Sequence, residues 1–266
     1  GTLKAVTDGE LFGTDETALD AVYVREGGMA VDTDGKDAAI SVPLTQVPTE
    51  GGITALTILN DKGAVSTLTN FKSCPAVLIF GDGHGASAVA EYDEDTFTVS
   101  SVKIVNPGWG YTAANTKAYV FQYGSRAKSE LQVTIGANAA SGDFVKRGAG
   151  TLTLGAANTY AGSTIVEGGT LKFAAAGALP EGSAIVSRGG AVAAVDYADV
   201  PKEIAFDVAD PDPKAKIVLA RWDTCTVGEP TASDFTVTGL PDEWQVAVRG
   251  NTLVASKPRG TLLLIK

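Results

Sequence analysis

The sequence predicts an all-β protein organised as a coiled β solenoid. Glycine makes up 31 of 266 residues and charged residues only 20%, a composition typical of many short strands joined by tight turns. Apolar and polar residues alternate in short runs such as TLTL and STIVE, and helical spacing is not kept for three turns. Similar units recur along the chain, and a unit too short to bury its own core is stabilised by stacking on its neighbours.

Short identical strings mark these repeats. The tripeptide GTL occurs at residues 1–3, 150–152, 169–171 and 260–262, and the first and third copies share GTLK. VREGGMAVD, at residues 24–32, resembles VSRGGAVAAVD, at residues 186–196. We therefore expect one structural unit at both places, with glycine where the backbone turns at positive φ. Asn158 is a candidate corner residue, because asparagine tolerates the left-handed region and hydrogen-bonds its own backbone.

Residues 146–173 read KRGAGTLTLGAANTYAGSTIVEGGTLKF. This stretch resembles the autotransporter-associated β-strand repeat of large secreted and surface passenger proteins. The residues that follow the order of the family's pattern are Lys146, Gly148, Gly150, Thr151, Leu152, Leu154, Asn158, Thr159, Tyr160, Gly162, Thr164, Val166, Gly169, Thr170 and Leu171. The resemblance implies a right-handed parallel β-helix displayed outside the cell, and it implies no catalytic residues. Residues 239–266 resemble the ends of such passengers more loosely.

A second resemblance covers residues 81–119. This run is similar to a short β repeat of phage tail and secreted surface proteins, with the form G-x-G-A-x-A, then a valine-rich strand, then N-x-G-x-G-Y-T. The predicted fold is therefore a right-handed parallel β-helix with a β-rich insert and a C-terminal β end region. The predicted segments are a solenoid repeat (1–45), a β-rich insert or continuing repeats (46–125), the autotransporter-associated repeat (126–200) and the end region (201–266).

Charge and composition exclude several partners. The formal net charge is −10, and lysine and arginine do not cluster with aromatic residues, so we expect no binding to nucleic acid. No apolar run approaches 18 residues, so we expect no membrane span. Cys74 and Cys225 allow a disulfide in an oxidising compartment, but two separate packed thiols are the preferred interpretation.

The string GDGHG, at residues 81–85, invites a comparison with phosphate-binding loops. The pattern lacks a following GK[ST], and no helix is predicted after it, so a turn is the preferred interpretation. His84 is the only histidine in the chain, which excludes a metal site with two histidines. We expect His84 to be an exposed turn residue.

Three acidic strings are candidates for metal binding or catalysis. DTDGKD, at residues 32–37, could offer carboxylates to calcium, but the twelfth position of an EF-hand loop would be Pro43, so an Asp-Gly turn is preferred. EYDED, at residues 91–95, and DVADPDP, at residues 207–213, are predicted to be solvated acidic turns. We predict no metal, no cofactor and no catalytic residue.

The aromatic residues have structural and binding interpretations. Trp109 and Tyr111, in PGWGYT, are predicted to pack a loop over the core, with stacking on a sugar ring as the alternative. Trp222 and Trp244 are predicted to lie in the core of the end region.

The predicted function is that of a non-catalytic structural module of an extracellular or cell-surface protein. A stack of coils would form a stiff rod, and we expect copies to join end to end as a homo-oligomer or filament. The rod could also present an adhesive surface that binds a surface glycan. The alternative is a carbohydrate-active or glycan-binding β-helix, because carboxylates on neighbouring coils can provide acid and base groups.

Overall fold

The structure is a computed structural model that describes residues 1–12, 19–122 and 128–258. Within these ranges the regular secondary structure consists of β-strands and two short 3₁₀ helices, Tyr197–Asp199 and Ala232–Asp234, which confirms the all-β prediction. The strands are β1 (Thr2–Lys4), β2 (Gly9–Glu10), β3 (Val22–Val24), β4 (Met29–Asp32), β5 (Ala38–Ile40), β6 (Leu44–Gln46), β7 (Gly52–Thr57), β8 (Ala76–Phe80), β9 (Ser87–Asp93), β10 (Thr98–Asn106), β11 (Lys117–Phe121), β12 (Lys128–Gly136), β13 (Phe144–Arg147), β14 (Thr151–Leu154), β15 (Thr164–Val166), β16 (Thr170–Phe173), β17 (Ile185–Ser187), β18 (Ala191–Asp196), β19 (Glu203–Phe206), β20 (Lys216–Thr224), β21 (Thr236–Thr238), β22 (Gln245–Val248) and β23 (Thr252–Ser256).

The chain divides into two compact units. The coil unit comprises Gly1–Gln46 and Ala140–Lys266, and the inserted unit comprises Val47–Ala139. The sequence places the insert at 46–125, whereas β12 pairs with β7 and β11, and the inserted unit therefore continues to Ala139.

The coil unit contains two long sheets between which the chain alternates. The first has the order β1-β4-β13-β15-β17-β19-β21, and all its neighbours are parallel. The second has the order β2-β5-β14-β16-β18-β20-β23-β22. We call the successive strand pairs β4/β5, β13/β14, β15/β16, β17/β18 and β19/β20 coils 1 to 5. In each sheet, the strand of one coil therefore pairs with the equivalent strand of the coil before it.

Strand register fixes the length of each coil. In the first sheet Val145 pairs with Ile165, Ile165 with Val186, and Val186 with Ala205, so these coils are 20, 21 and 19 residues long. In the second sheet Leu152, Leu171 and Val192 occupy the same position in coils 2 to 4. All three are at most 1% exposed. Burial of each leucine side chain contributes about 2 kcal/mol, so this apolar stack is a main source of stability.

Glycines allow the coils to approach at the turn between the two sheets. Gly150 and Gly169 have φ of 86° and 63°, in the region that disfavours side chains. A Cβ at Gly169 would overlap the carbonyl oxygen of Gly150 in the preceding coil. The predicted use of glycine at turns with positive φ is confirmed at these positions.

The repeated strings do not all occupy equivalent positions. Thr2–Lys4 of the first GTLK lies in the seven-stranded sheet, whereas Thr170–Phe173 of the second lies in the eight-stranded sheet. The same holds for β4 and β18, which contain the matched ends of VREGGMAVD and VSRGGAVAAVD. The expectation of one unit repeated at these places is therefore wrong. Both sheets need short alternating strands entered through glycine, so similar strings fit either sheet.

The parallel order ends in an antiparallel pair at one end of the eight-stranded sheet. β23 pairs antiparallel with β20, and β22 pairs antiparallel with β23. In the seven-stranded sheet, β1 is one of the two edge strands, and all three of its residues are exposed.

The inserted unit has its own sheet and core. Its four strands have the order β7-β12-β11-β8 and are antiparallel, and β9 and β10 form a separate hairpin. The core includes Ile53, Val99, Ala118, Val120 and Leu131.

Candidate functional site: buried polar groups and ion pairs of the coils

Lys146 is fully buried in β13 of coil 2. Its ammonium group donates to the carbonyl oxygens of Arg147 (2.8 Å), Gly148 (2.7 Å) and Gly168 in coil 3 (3.0 Å). These bonds use all three of its donors. Burial lowers the pKa of Lys146 to about 8, although the charge of Asp32 acts in the opposite direction. Lys146 therefore joins two coils through a positive charge that is costly to bury.

Asn158 joins three coils. Its Oδ1 accepts from the backbone N–H of Leu44 in β6 (2.8 Å), and its Nδ2 donates to the carbonyl oxygen of Ala178 (2.6 Å). Its own backbone N–H donates to Gly177 (2.9 Å). Asn158 is buried, and its backbone is not left-handed. The expected corner role through its own backbone is therefore wrong, because its side chain bonds the coils on either side instead.

A buried hydroxyl chain connects coils 2 and 3. The Tyr160 hydroxyl lies 2.7 Å from Thr164 Oγ1, which lies 2.8 Å from Ser183 Oγ. Ser183 donates to the carbonyl oxygen of Gly162 (2.9 Å). Burial raises the pKa of Tyr160 well above its ordinary value. The chain contains no charge and satisfies polar groups that the stacked coils bury.

A row of charged side chains runs along the outside of the coils, at the turn between the two sheets. Arg147 Nε lies 2.7 Å from Glu167 Oε2, Arg188 Nη1 lies 3.7 Å from Glu167 Oε1, and Arg188 Nε lies 2.8 Å from Asp207 Oδ2. In the sheet register Arg147 pairs with Asp32, and Asp32 pairs with Lys4. We call Lys4, Asp32, Arg147, Glu167, Arg188 and Asp207 the charge ladder. Each member occupies the same position in successive coils, with Lys4 in β1.

The DTDGKD string forms the predicted Asp-Gly turn. Asp34 and Gly35 have φ of 48° and 83°. Asp32 Oδ1 accepts from the backbone N–H of Asp34, Asp37 Oδ1 accepts from that of Thr151, and Asp34 pairs with Lys4 at 2.9 Å. The carboxylates are thus used by separate partners. Over residues 1–12, 19–122 and 128–258, no group of three or more His, Cys, Asp or Glu side chains is placed to hold a metal ion.

The GDGHG string forms a turn that leads into strand β9. The Asp82 carboxylate accepts from the backbone N–H and the hydroxyl of Thr112 and from Asn115 Nδ2, and these bonds hold its pKa well below its usual range. His84 is exposed, as predicted, and its backbone pairs with that of Trp109. Tyr111 is buried, and its hydroxyl accepts from the N–H of Ala86, so this aromatic residue packs the loop as expected.

The other candidates have structural positions. Trp222 and Trp244 are buried, with Trp222 4.9 Å from the ring of Tyr197 and Trp244 5.8 Å from that of Phe206. This confirms the predicted core role. Cys74 and Cys225 are free and exposed, so the preferred interpretation of packed thiols is wrong.

The EYDED string differs in part from the prediction of a solvated turn, whereas the DVADPDP string agrees with it. Glu91 and Asp93 lie in strand β9, so the turn begins only after Asp93, whose carboxylate accepts from the N–H groups of Asp95 and Thr96. Residues 207–213 lie between β19 and β20, and Asp207, Asp210 and Asp212 are exposed, which confirms the solvated turn. Asp207 is in addition a member of the charge ladder. Its ion pair could not be predicted because it depends on which coils are neighbours.

No helix in the described part of the chain is long and apolar enough to cross a membrane. Comparison of the chain with curated proteins and with solved structures gives no match. A family model described as passenger-associated-transport-repeat matches residues 144–173. These residues extend from the start of β13 to the end of β16 and contain Lys146, Asn158 and Tyr160. Residues 144–173 are therefore similar to a passenger-associated-transport-repeat, which agrees with the autotransporter-type repeat that the sequence resemblance indicated.

Proposed function

We propose that the chain is a non-catalytic structural module of a secreted or cell-surface protein, and that its coil unit is a right-handed parallel β-helix that acts as a stiff scaffold. The observation that supports this most strongly is the unbroken parallel register of coils 1 to 5. Each coil gains its core and its backbone hydrogen bonds from its neighbours. Bending the stack would break many of these contacts at once.

The polar interior supports a structural role. Lys146, Asn158 and the Tyr160 hydroxyl chain use their polar atoms on neighbouring coils, so they have little capacity left for a ligand. These groups stabilise the coils that they join, because a displaced coil would leave buried donors and acceptors without partners.

The carboxyl groups also favour a non-catalytic role. A glycosidase needs one carboxylic acid with a raised pKa to protonate the leaving group. In the described part of the chain, the carboxyl groups with shifted pKa are Asp82, Asp93, Asp196, Asp234 and Glu243, and all are shifted downwards by hydrogen bonds or an ion pair. These groups stay ionised at neutral pH and accept hydrogen bonds.

The sheet ends bear on end-to-end stacking of copies. A head-to-tail filament that continues the coils needs a free parallel edge at both ends of both sheets. The seven-stranded sheet has parallel strands at both ends, β1 and β21. The eight-stranded sheet ends in the antiparallel pair β23 and β22. We therefore favour a module that acts singly, and sedimentation of the isolated chain at rising concentration tests this. Growth into long assemblies would contradict it.

The function is tested by offering the chain a panel of acidic and neutral polysaccharides, with and without calcium, and then a broad-specificity protease. We expect no oligosaccharide release, no retained glycan and a proteolytic core that contains residues 144–206. Released oligosaccharides would overturn the proposal in favour of a carbohydrate-active enzyme. Glycan retention that is lost in Trp109→Ala would instead indicate a binding module.

A further inference from the structure

The charge ladder alternates in sign at every step. Its order from β1 to coil 5 is Lys4, Asp32, Arg147, Glu167, Arg188 and Asp207. The last four members make three successive ion-pair contacts of 2.7, 3.7 and 2.8 Å between Nε or Nη1 of an arginine and a carboxylate oxygen. Each of these three contacts joins two coils, so opposite charges meet at the three junctions from coil 2 to coil 5.

The apolar core cannot enforce this order by itself. Leu152, Leu171 and Val192 fill the same position in coils 2, 3 and 4. If coil 3 were looped out and coil 4 stacked directly on coil 2, Val192 would meet Leu152 and the apolar stack would be preserved. The ladder would not be preserved, because Arg147 would then face Arg188.

We propose that the charge ladder disfavours any stack in which one coil is skipped. Omission of a single coil replaces an opposite-charge contact with a like-charge contact, whereas each ion-pair contact of the native order joins opposite charges. Exposed ion pairs of this kind contribute little to overall stability. Their effect here is on the free-energy difference between the native stack and a stack that lacks one coil. Both the lost attraction and the new repulsion contribute to that difference.

An exchange of two charges within the ladder tests the effect of charge order at constant net charge. The exchange variant carries Glu167→Arg with Arg188→Glu, which leaves the net charge unchanged. It places like charges at the contacts 147/167 and 188/207, and opposite charges at 147/188. The restored variant adds Arg147→Glu and Asp207→Arg, which again leaves the net charge unchanged and returns opposite charges to all three contacts. The new carboxylate at position 147 faces Asp32 of coil 1, but this contact is common to both stacking arrangements and does not change their ratio.

Cysteine pairs report which coils are neighbours after refolding. Cys74 and Cys225 are replaced by serine in all proteins. Thr153→Cys with Lys172→Cys joins adjacent coils in the native register, and Thr153→Cys with Ala193→Cys joins coils 2 and 4 only if coil 3 is omitted. Each protein is unfolded, refolded and then oxidised, and the disulfide yields are measured.

We expect the ratio of the 153–193 disulfide to the 153–172 disulfide to rise about tenfold in the exchange variant over the unexchanged protein, since several contacts change sign together. The restored variant should return to within about twofold of the unexchanged ratio. An unchanged ratio in the exchange variant would overturn the proposal. If that variant does not refold, recovery of folding in the restored variant supports the proposal, and failure of both overturns it.

Discussion

The side chain of Asn158 accepts a hydrogen bond from the backbone N–H of Leu44, 114 residues earlier in the chain (2.8 Å). The inserted unit, Val47–Ala139, lies between these two residues in sequence. The bond therefore joins the coil before the insertion to the coil after it. The continuity of the stack across the insertion depends in part on this one buried amide.

Asn158→Ala should lower the free energy of unfolding by about 2–4 kcal/mol, because it leaves the Leu44 N–H and the Ala178 carbonyl buried without partners. The measurement is equilibrium unfolding in denaturant. Asn251→Ala is the control, since Asn251 is exposed and its side chain donates to the Asp223 carbonyl, and a change of at most about 0.5 kcal/mol is expected there. Equal effects in the two variants would contradict the bridging role.

Lys146 should make the chain more stable as the pH rises from about 8 towards about 10.4. Its pKa is about 8 in the folded protein and near 10.4 when unfolded, so the unfolded chain binds more protons across this window. The gain attributable to Lys146 is at most about 3 kcal/mol, is absent below the folded pKa, and is complete above the unfolded one.

The matched variant for this pH dependence is Lys146→Met, which keeps the apolar stem and removes the charge. Burial also lowers the pKa of Lys202, so the difference between wild type and variant isolates Lys146. Urea unfolding at pH 7.5 and 9.5 should show a smaller gain in the variant. A pH dependence that is unchanged by the substitution would show that Lys146 is not a buried cation.

Gly169→Ala should destabilise the coil unit by about 3 kcal/mol or more. The new Cβ would overlap the carbonyl oxygen of Gly150, and the alanine residue would be held at a positive φ. Gly182 provides a matched control, because its φ is 78° but a Cβ there meets no atom within 4 Å. Gly182→Ala should cost only about 1 kcal/mol, from backbone strain alone. Thermal unfolding of both variants gives the comparison, and similar losses would contradict the close approach of the coils at Gly169.

Tyr160→Phe should cost about 1 kcal/mol, since it removes one hydrogen bond and leaves Thr164 with Ser183 as a partner. A double-mutant cycle with Thr164→Val measures the coupling directly. The coupling should be favourable and close to the single-variant loss. Additive effects of the two substitutions would show that the hydroxyls do not interact.

The sequence was sufficient to predict strands and turn glycines, because period-two alternation and positive φ are local properties. Thr151–Leu154 and Thr170–Phe173 are strands for this reason. The position of each strand was not predictable from such strings, since Thr2–Lys4 shares its sequence with part of β16 but lies in the other sheet.

The buried polar groups and the charge ladder could not be predicted without the register between neighbouring coils. Lysine is rarely buried, and the third acceptor for Lys146 is a carbonyl 22 residues later, in the next coil. The ladder is hidden because its last four members are separated by 20, 21 and 19 residues, so that a fixed period does not align them. The one usable signal was a lysine at a position in KRGAGTL where the alternation called for an apolar residue.

The stacking of coils in chain order is tested most directly by residue-level amide hydrogen exchange across residues 144–206. The backbone N–H of Phe144 donates to Ser163, that of Thr164 to Ala184, and that of Ala191 to Gly169, so each is bonded to a neighbouring coil. We expect these amides to exchange slowly and with similar opening free energies, close to that of global unfolding. Exchange at the rate of exposed loops, or protection confined to one coil, would contradict a cooperative stack.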